Sequence, residues 1–112
     1  MIKNTKELKI LLSKKTKAIS KAQTLMILGE KIKGKKLYLK ASRLEIEIAD
    51  RFPKFQVQLF SGFWCAIKGE DLKLAKEIYK KLALLKGLNE VQKREIEEIK
   101  EIIESNYQTK SM

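Results

Sequence analysis

The chain has 112 residues, 44% of them hydrophobic and 35% charged, with a formal net charge of +11, one cysteine and no histidine. That length and balance fit a single globular domain able to bury its own core. They exclude an internal disulfide, zinc-finger chemistry and the Ser-His-Asp and Cys-His nucleophile arrangements.

Asn4 with Glu7 reads as a capping box that opens a helix near Thr5. Leu8, Leu11 and Leu12 give this helix an apolar stripe, which Lys15 interrupts. Ser20 with Gln23 makes a second capping box, so the region divides into helices over about 5–17 and 21–33. A single long helix is the alternative, because Leu11, Ala18, Leu25 and Ile32 recur every seven residues. Ala22, Leu25, Met26 and Ile32 are expected to face inward, and Gly34 to end the helix. The next helix runs from about Lys36 to Arg51, with Leu37, Ala41, Leu44, Ile48 and Ala49 at core spacing. Phe52-Pro53 interrupts it, because the residue before proline is pushed out of helical geometry.

The stretch from Phe55 to Leu85 reads as two helices joined by a tight turn at Lys68-Gly69-Glu70-Asp71. Leu59, Gly62, Phe63, Ala66 and Ile67 share one face of the first, and Leu72, Ala75, Ile78, Tyr79 and Leu82 one face of the second. Gly62 and Ala75 leave room for close backbone approach, and Trp64 and Tyr79 supply bulk beside them. Gly87 is a natural C-cap. Asn89 with Gln92 opens a last helix, with Leu88 placed as a staple and Val91, Ile96, Ile99 and Ile103 as its apolar side. Glu95, Glu97, Glu98, Glu101 and Glu104 make it the acidic element. The tail over 107–112 is expected to fray, with Tyr107 as its anchor. No stretch alternates as a strand would.

The expected architecture is therefore all-α, with five to six antiparallel helices. A basic N-terminal helix (1–19) precedes two hairpins (20–53 and 54–87), and a capping helix (88–106) closes the open end. No apolar run approaches the roughly 20 residues that span a bilayer. The N-terminus lacks a signal peptide's apolar core, so a cytoplasmic location is expected.

The hairpins carry an echo. Ile32-Lys33-Gly34 recurs as Ile67-Lys68-Gly69, and Leu37 and Leu39 as Leu72 and Leu74, at an offset of 35 residues. Ala41, Leu44 and Ala49 recur as Ala75, Ile78 and Ala83 at an offset of 34. A unit of this period, with a small residue at Gly62, turn glycines at 34 and 69, and alanines at 41 and 75 followed by Tyr79, resembles the tetratricopeptide (TPR) repeat over about residues 20–86. It departs from that pattern at Glu45, which stands where the second copy has Tyr79. It also lacks a proline closing the second unit. Over about residues 40–83, Ala41, Val57-Gln58-Leu59, Gly69 and Lys81-Leu82-Ala83 look like the needle-protein chaperones of type III secretion. The resemblance implies a binding scaffold, not an enzyme, with a groove that holds an amphipathic helix of a partner. The residues it would turn towards that groove are Thr24, Leu28, Lys31, Leu59, Phe63 and Ala66.

Charge gives a second lead. Residues 1–43 hold thirteen Lys or Arg against two acids, and residues 44–112 hold twelve of each, so the whole excess lies in the first 43 residues. Lys14, Lys17 and Lys21 fall on one helical face if the helix continues across Ser20. Lys31, Lys33, Lys35, Lys36, Lys40 and Arg43 cluster around the next turn. Such a patch suits nucleic acid, an acidic protein or an anionic surface. A solvated lysine face is the bland alternative. Carboxylate pairs such as Glu45/Asp50 and Glu70/Asp71 read as solvated surface, Cys65 as a small buried hydrophobe, and no cofactor motif is present. The leading expectation is a non-enzymatic adaptor or chaperone for a helical protein segment. A small basic DNA- or RNA-binding regulator is the alternative. A bundle lying on a membrane is a third reading, and exposed apolar surface on the N-terminal helix also suits a homodimer.

Overall fold

A computed structural model gives the fold; it describes the backbone over residues 2–111 and side chains over 5–105. The protein is all-α. Five helices follow one another: α1 (Ile2–Ile27), α2 (Lys31–Arg51), α3 (Gln58–Lys68), α4 (Leu72–Ala83) and α5 (Glu90–Ser111), with one 3-10 turn at Pro53–Phe55. No strand occurs among the described residues.

Residues 2–27 form one helix, not two. Ser20 does not cap a second helix; its carbonyl accepts a bond from the Thr24 hydroxyl at 3.2 Å inside α1. Lys15, which broke the apolar stripe, is answered by an acid beneath it: its ammonium lies 3.6 Å from Glu45 of α2. The helix stops at Gly29, five residues before the expected glycine. Glu30 N–H bonds the Leu25 carbonyl at 2.8 Å and Gly29 N–H the Met26 carbonyl at 3.1 Å, with Gly29 at φ 84°. This is the left-handed helix stop that glycine tolerates best. The first hairpin therefore uses the whole of α1 and turns at 28–30. Helix α1 already begins at Ile2, ahead of Thr5, and the Asn4 side chain of the expected capping box lies outside the described residues.

Gly34 lies buried inside α2, where it serves packing. A Cβ there would sit 2.7 Å from Met26 Sδ and 3.2 Å from the Ala22 carbonyl of α1. The echo at 35 residues thus pairs a helix start (Ile32-Lys33-Gly34) with a helix end (Ile67-Lys68-Gly69). Ile32, expected inside, is 73% exposed.

The second turn falls where expected but works differently. Asp71 N–H bonds the Ala66 carbonyl and Glu70 N–H the Ile67 carbonyl, both at 3.0 Å, and Glu70, not Gly69, takes the left-handed backbone at φ 58°. Gly69 is there for room: a Cβ would lie 3.1 Å from the Lys35 carbonyl and 2.5 Å from the Leu39 side chain. Asp71 caps α4 through a 2.9 Å bond from Leu74 N–H. Phe52-Pro53 ends α2 as the sequence implies. The Asn89–Gln92 capping box forms in both directions, at 3.0 and 2.8 Å. Helix α4 stops at Ala83, so Gly87, at φ 70°, shapes the loop beyond it instead of capping it. Helix α5 continues through the stretch expected to fray, to Ser111; the Tyr107 side chain lies outside the described residues.

Each helix packs against the next in sequence, in a slab of 51 × 38 × 21 Å. The larger core joins α2, α3, α4 and α5 through Leu59, Phe63, Ala66, Ala75, Ile78, Leu82 and Ile99. The smaller joins α1, α2 and α3 through Ala18, Ala22, Tyr38, Ala41 and Cys65. Ser42 donates to the Gly62 carbonyl at 2.8 Å where α2 and α3 approach. The Trp64 indole donates to Glu95 at 2.8 Å, tying α3 to α5. Ile99 and Ile103 are buried as expected, whereas Val91 is 69% exposed.

Candidate nucleic-acid interface

The six residues expected to line a partner groove do not meet in one. Leu59, Phe63 and Ala66 are core, at 3%, 0% and 0% exposure. The face of α3 that carries them is filled by α2, α4 and α5, so a partner cannot reach it. Thr24, Leu28 and Lys31 lie exposed at the α1–α2 turn instead. The reason is the turn position: closing the first hairpin at Gly29 leaves these three at its tip, not along an inner wall.

The basic residues do come together. Helices α1 and α2 run antiparallel, as Glu7–Arg51, Lys15–Glu45 and the Ala22–Gly34 approach show. Leu11, Ala18 and Ala22 turn one face of α1 inward, and Gly34, Tyr38, Ala41, Glu45 and Ile48 one face of α2. With about 3.6 residues per turn, Lys14, Lys17 and Lys21 form one outer flank of α1. Lys33, Lys36, Lys40 and Arg43 form the outer face of α2. All seven are exposed. The helical phases place the two rows side by side on one surface of the hairpin.

Acids thin this set in an informative way. Lys33 pairs with Glu30 at 3.5 Å, and Lys35 is half-buried and pairs with Glu70, off the face. Lys35 therefore leaves the predicted patch. Arg51, at the far end of the hairpin, is held by both Glu7 and Glu47. Lys14, Lys17, Lys21, Lys36, Lys40 and Arg43 have no acid partner among the described residues. They form an unneutralised cationic field.

Beneath the face lies a buried ion pair. Glu45 is fully buried, and neither of its carboxylate oxygens accepts a hydrogen bond. Burial raises its pKa above the usual carboxylate range, with the neighbouring Ser61 hydroxyl and the Lys15 ammonium opposing this. Burial likewise pushes the Cys65 thiol up, reinforced by Glu45, which keeps it protonated and unreactive. Tyr38, under the Lys68 ammonium at 5.5 Å, is also raised by burial.

Two features escaped the sequence reading. Ile27, Leu28 and Ile32 are 84%, 69% and 73% exposed, an apolar tip beside Lys31. Their helical spacing looks like core spacing, and only the turn at Gly29 reveals that they overhang it. A cleft of about 810 Å³ lies between α4 and α5, lined by Tyr79, Leu85, Leu88, Ile96, Lys93 and Arg94 among others. Among the described residues, no helix is long and apolar enough to cross a membrane, and no cluster of three potential metal ligands occurs.

Comparison with models of protein families, with curated proteins and with solved structures finds no match to this chain.

Proposed function

We propose that the protein binds nucleic acid through the outer face of the α1–α2 hairpin, without catalysis. The observation that supports this reading is the set Lys14, Lys17, Lys21, Lys36, Lys40 and Arg43, unpaired among the described residues and on one surface, in a chain whose residues 44–112 are neutral overall. Six cations brought to phosphates release counterions, which makes affinity fall steeply with salt. The test is a mobility shift at two salt concentrations. Wild type is expected to shift DNA or RNA at low salt and lose roughly a thousandfold in affinity between about 50 and 200 mM. Lys14→Glu, Lys17→Glu and Lys21→Glu together are expected to abolish the shift while helicity stays intact, since all three side chains are exposed. No shift at low salt sinks the proposal.

A second reading keeps the adaptor or chaperone function, TPR-like in spirit, and moves its site. The cleft between α4 and α5 favours it, because half-buried Leu85, Leu88 and Ile96 line it beside Lys93 and Arg94. An amphipathic helix of a partner suits such a cleft. Leu88→Glu with Arg94→Glu is expected to abolish capture of a helical partner with helicity intact; undiminished capture counts against this site.

A further inference from the structure

We infer that the polymer held by the α1–α2 face is double-stranded and is bound without regard to base sequence; this rests on the nucleic-acid reading above. The argument begins with charge density. Lys14 to Lys21 and Lys36 to Arg43 each cover seven residue steps, about 10 Å of helix. The two axes lie about 8–10 Å apart, as packed helices do. The face therefore presents six cations over about 10 Å of length, in two rows. A duplex carries one phosphate charge per about 1.7 Å of axis, or about six in that length, whereas one strand at about 3.4 Å per charge carries about three. Two rows saturate a duplex. A single strand leaves one row unused.

The side chains point the same way. Proteins that hold single strands add aromatic platforms on which bases stack. Here the described aromatics lie in or against the core, or at the opposite end of the hairpin: Tyr38, Phe60 and Phe63 are buried, Trp64 is tied to Glu95, and Phe52 and Phe55 flank Pro53. Among the described residues, aliphatic Ile10, Ile27, Leu28 and Ile32 are the large apolar side chains that reach solvent from α1, its turn and the start of α2. Base readout is equally ill-served. Five of the six unpaired cations are lysines, which meet phosphate as point charges. The guanidinium fork that reads guanine is present once, in Arg43.

The experiment is fluorescence anisotropy with the full chain, at low and moderate salt. The probes are a short duplex, each of its separated strands and a duplex of unrelated sequence. The expected result is duplex affinity at least about tenfold above either strand and the two duplexes within about twofold. The slope of log K against log salt should approach about −5, six cations at about 0.9 each. Lys14→Glu with Lys21→Glu, and separately Lys36→Glu with Lys40→Glu, are expected to weaken duplex binding to a similar degree. A strand bound as tightly as the duplex overturns the inference while leaving nucleic-acid binding standing. So does a loss confined to one row, or strong preference for one duplex sequence. Failure of every probe to bind at low salt overturns both. Anionic phospholipid vesicles are the competing arm: displacement of duplex by them, lost in Leu28→Ser with Ile32→Ser, would reassign the face and its apolar tip to a membrane surface.

Discussion

Lys15 of α1 and Glu45 of α2 meet in a buried contact. The carboxylate is sealed from water without a hydrogen bond, and the ammonium 3.6 Å away is itself mostly buried. Removing one partner of such a pair leaves a stranded charge, whereas removing both is often neutral. Lys15→Met is therefore expected to destabilise the fold by roughly 2–4 kcal/mol at neutral pH, and Glu45→Gln in the same chain to restore most of it. The sign with pH follows from the raised pKa of Glu45. The folded state holds the proton more tightly than the unfolded one, so the group's contribution is most favourable in acid and is lost as pH rises from the ordinary carboxylate range through the raised value. Glu45→Gln alone is thus expected to flatten the pH dependence of stability across that window. Urea unfolding of wild type and the three variants at several pH values checks this; an unrescued Lys15→Met would remove the pair from the account. In sequence, Lys15 looked like a broken stripe, because the acid that answers it lies thirty residues away on another helix.

At the scale of elements, local signals were legible where both partners are local. The Asn89–Gln92 box needs residues three apart, and it forms as the sequence implies. Asn89→Ala is expected to cost about 1 kcal/mol, read as a lowered melting temperature with helicity of the remaining elements intact. A variant as stable as wild type would mean that α5 is held by Ile99 and Ile103 alone. The glycines were harder. Gly34 and Gly69 look like turn residues, yet they sit where a neighbouring helix leaves no room for a Cβ. The left-handed positions fell to Gly29 and Glu70. Composition alone does not separate a glycine kept for its backbone angles from one kept for its missing side chain. That ambiguity displaced the first hairpin's turn by five residues and its inferred groove with it.

On the scale of the whole molecule, the all-α class, the break at Pro53 and the α3–α4 hairpin were readable from the sequence. That α5 caps the open end was read from its amphipathic face; that Leu59, Phe63 and Ala66 are core instead of groove was not, because an apolar face gives no sign of whether its own chain or another covers it. The charge division along the chain survived folding intact: the first 43 residues make the α1 side of the slab, and the acids of α5 lie at the other end of the packing order. A molecule so arranged carries a large electric dipole across its breadth. A polyanion would orient it before touching it, arriving at the hairpin face far more often than chance collisions allow.

The order in which the helices touch also shapes how the chain comes to be folded. Because α1 rests on α2, α2 on α3 and α3 on α4, the most extensive helix–helix contacts link segments adjacent in the chain. Little loop entropy has to be surrendered before packing begins, which places the protein among fast-folding topologies. During synthesis the hairpin with the surplus of lysines emerges before α3, α4 and α5 and can zip together while they are still being made.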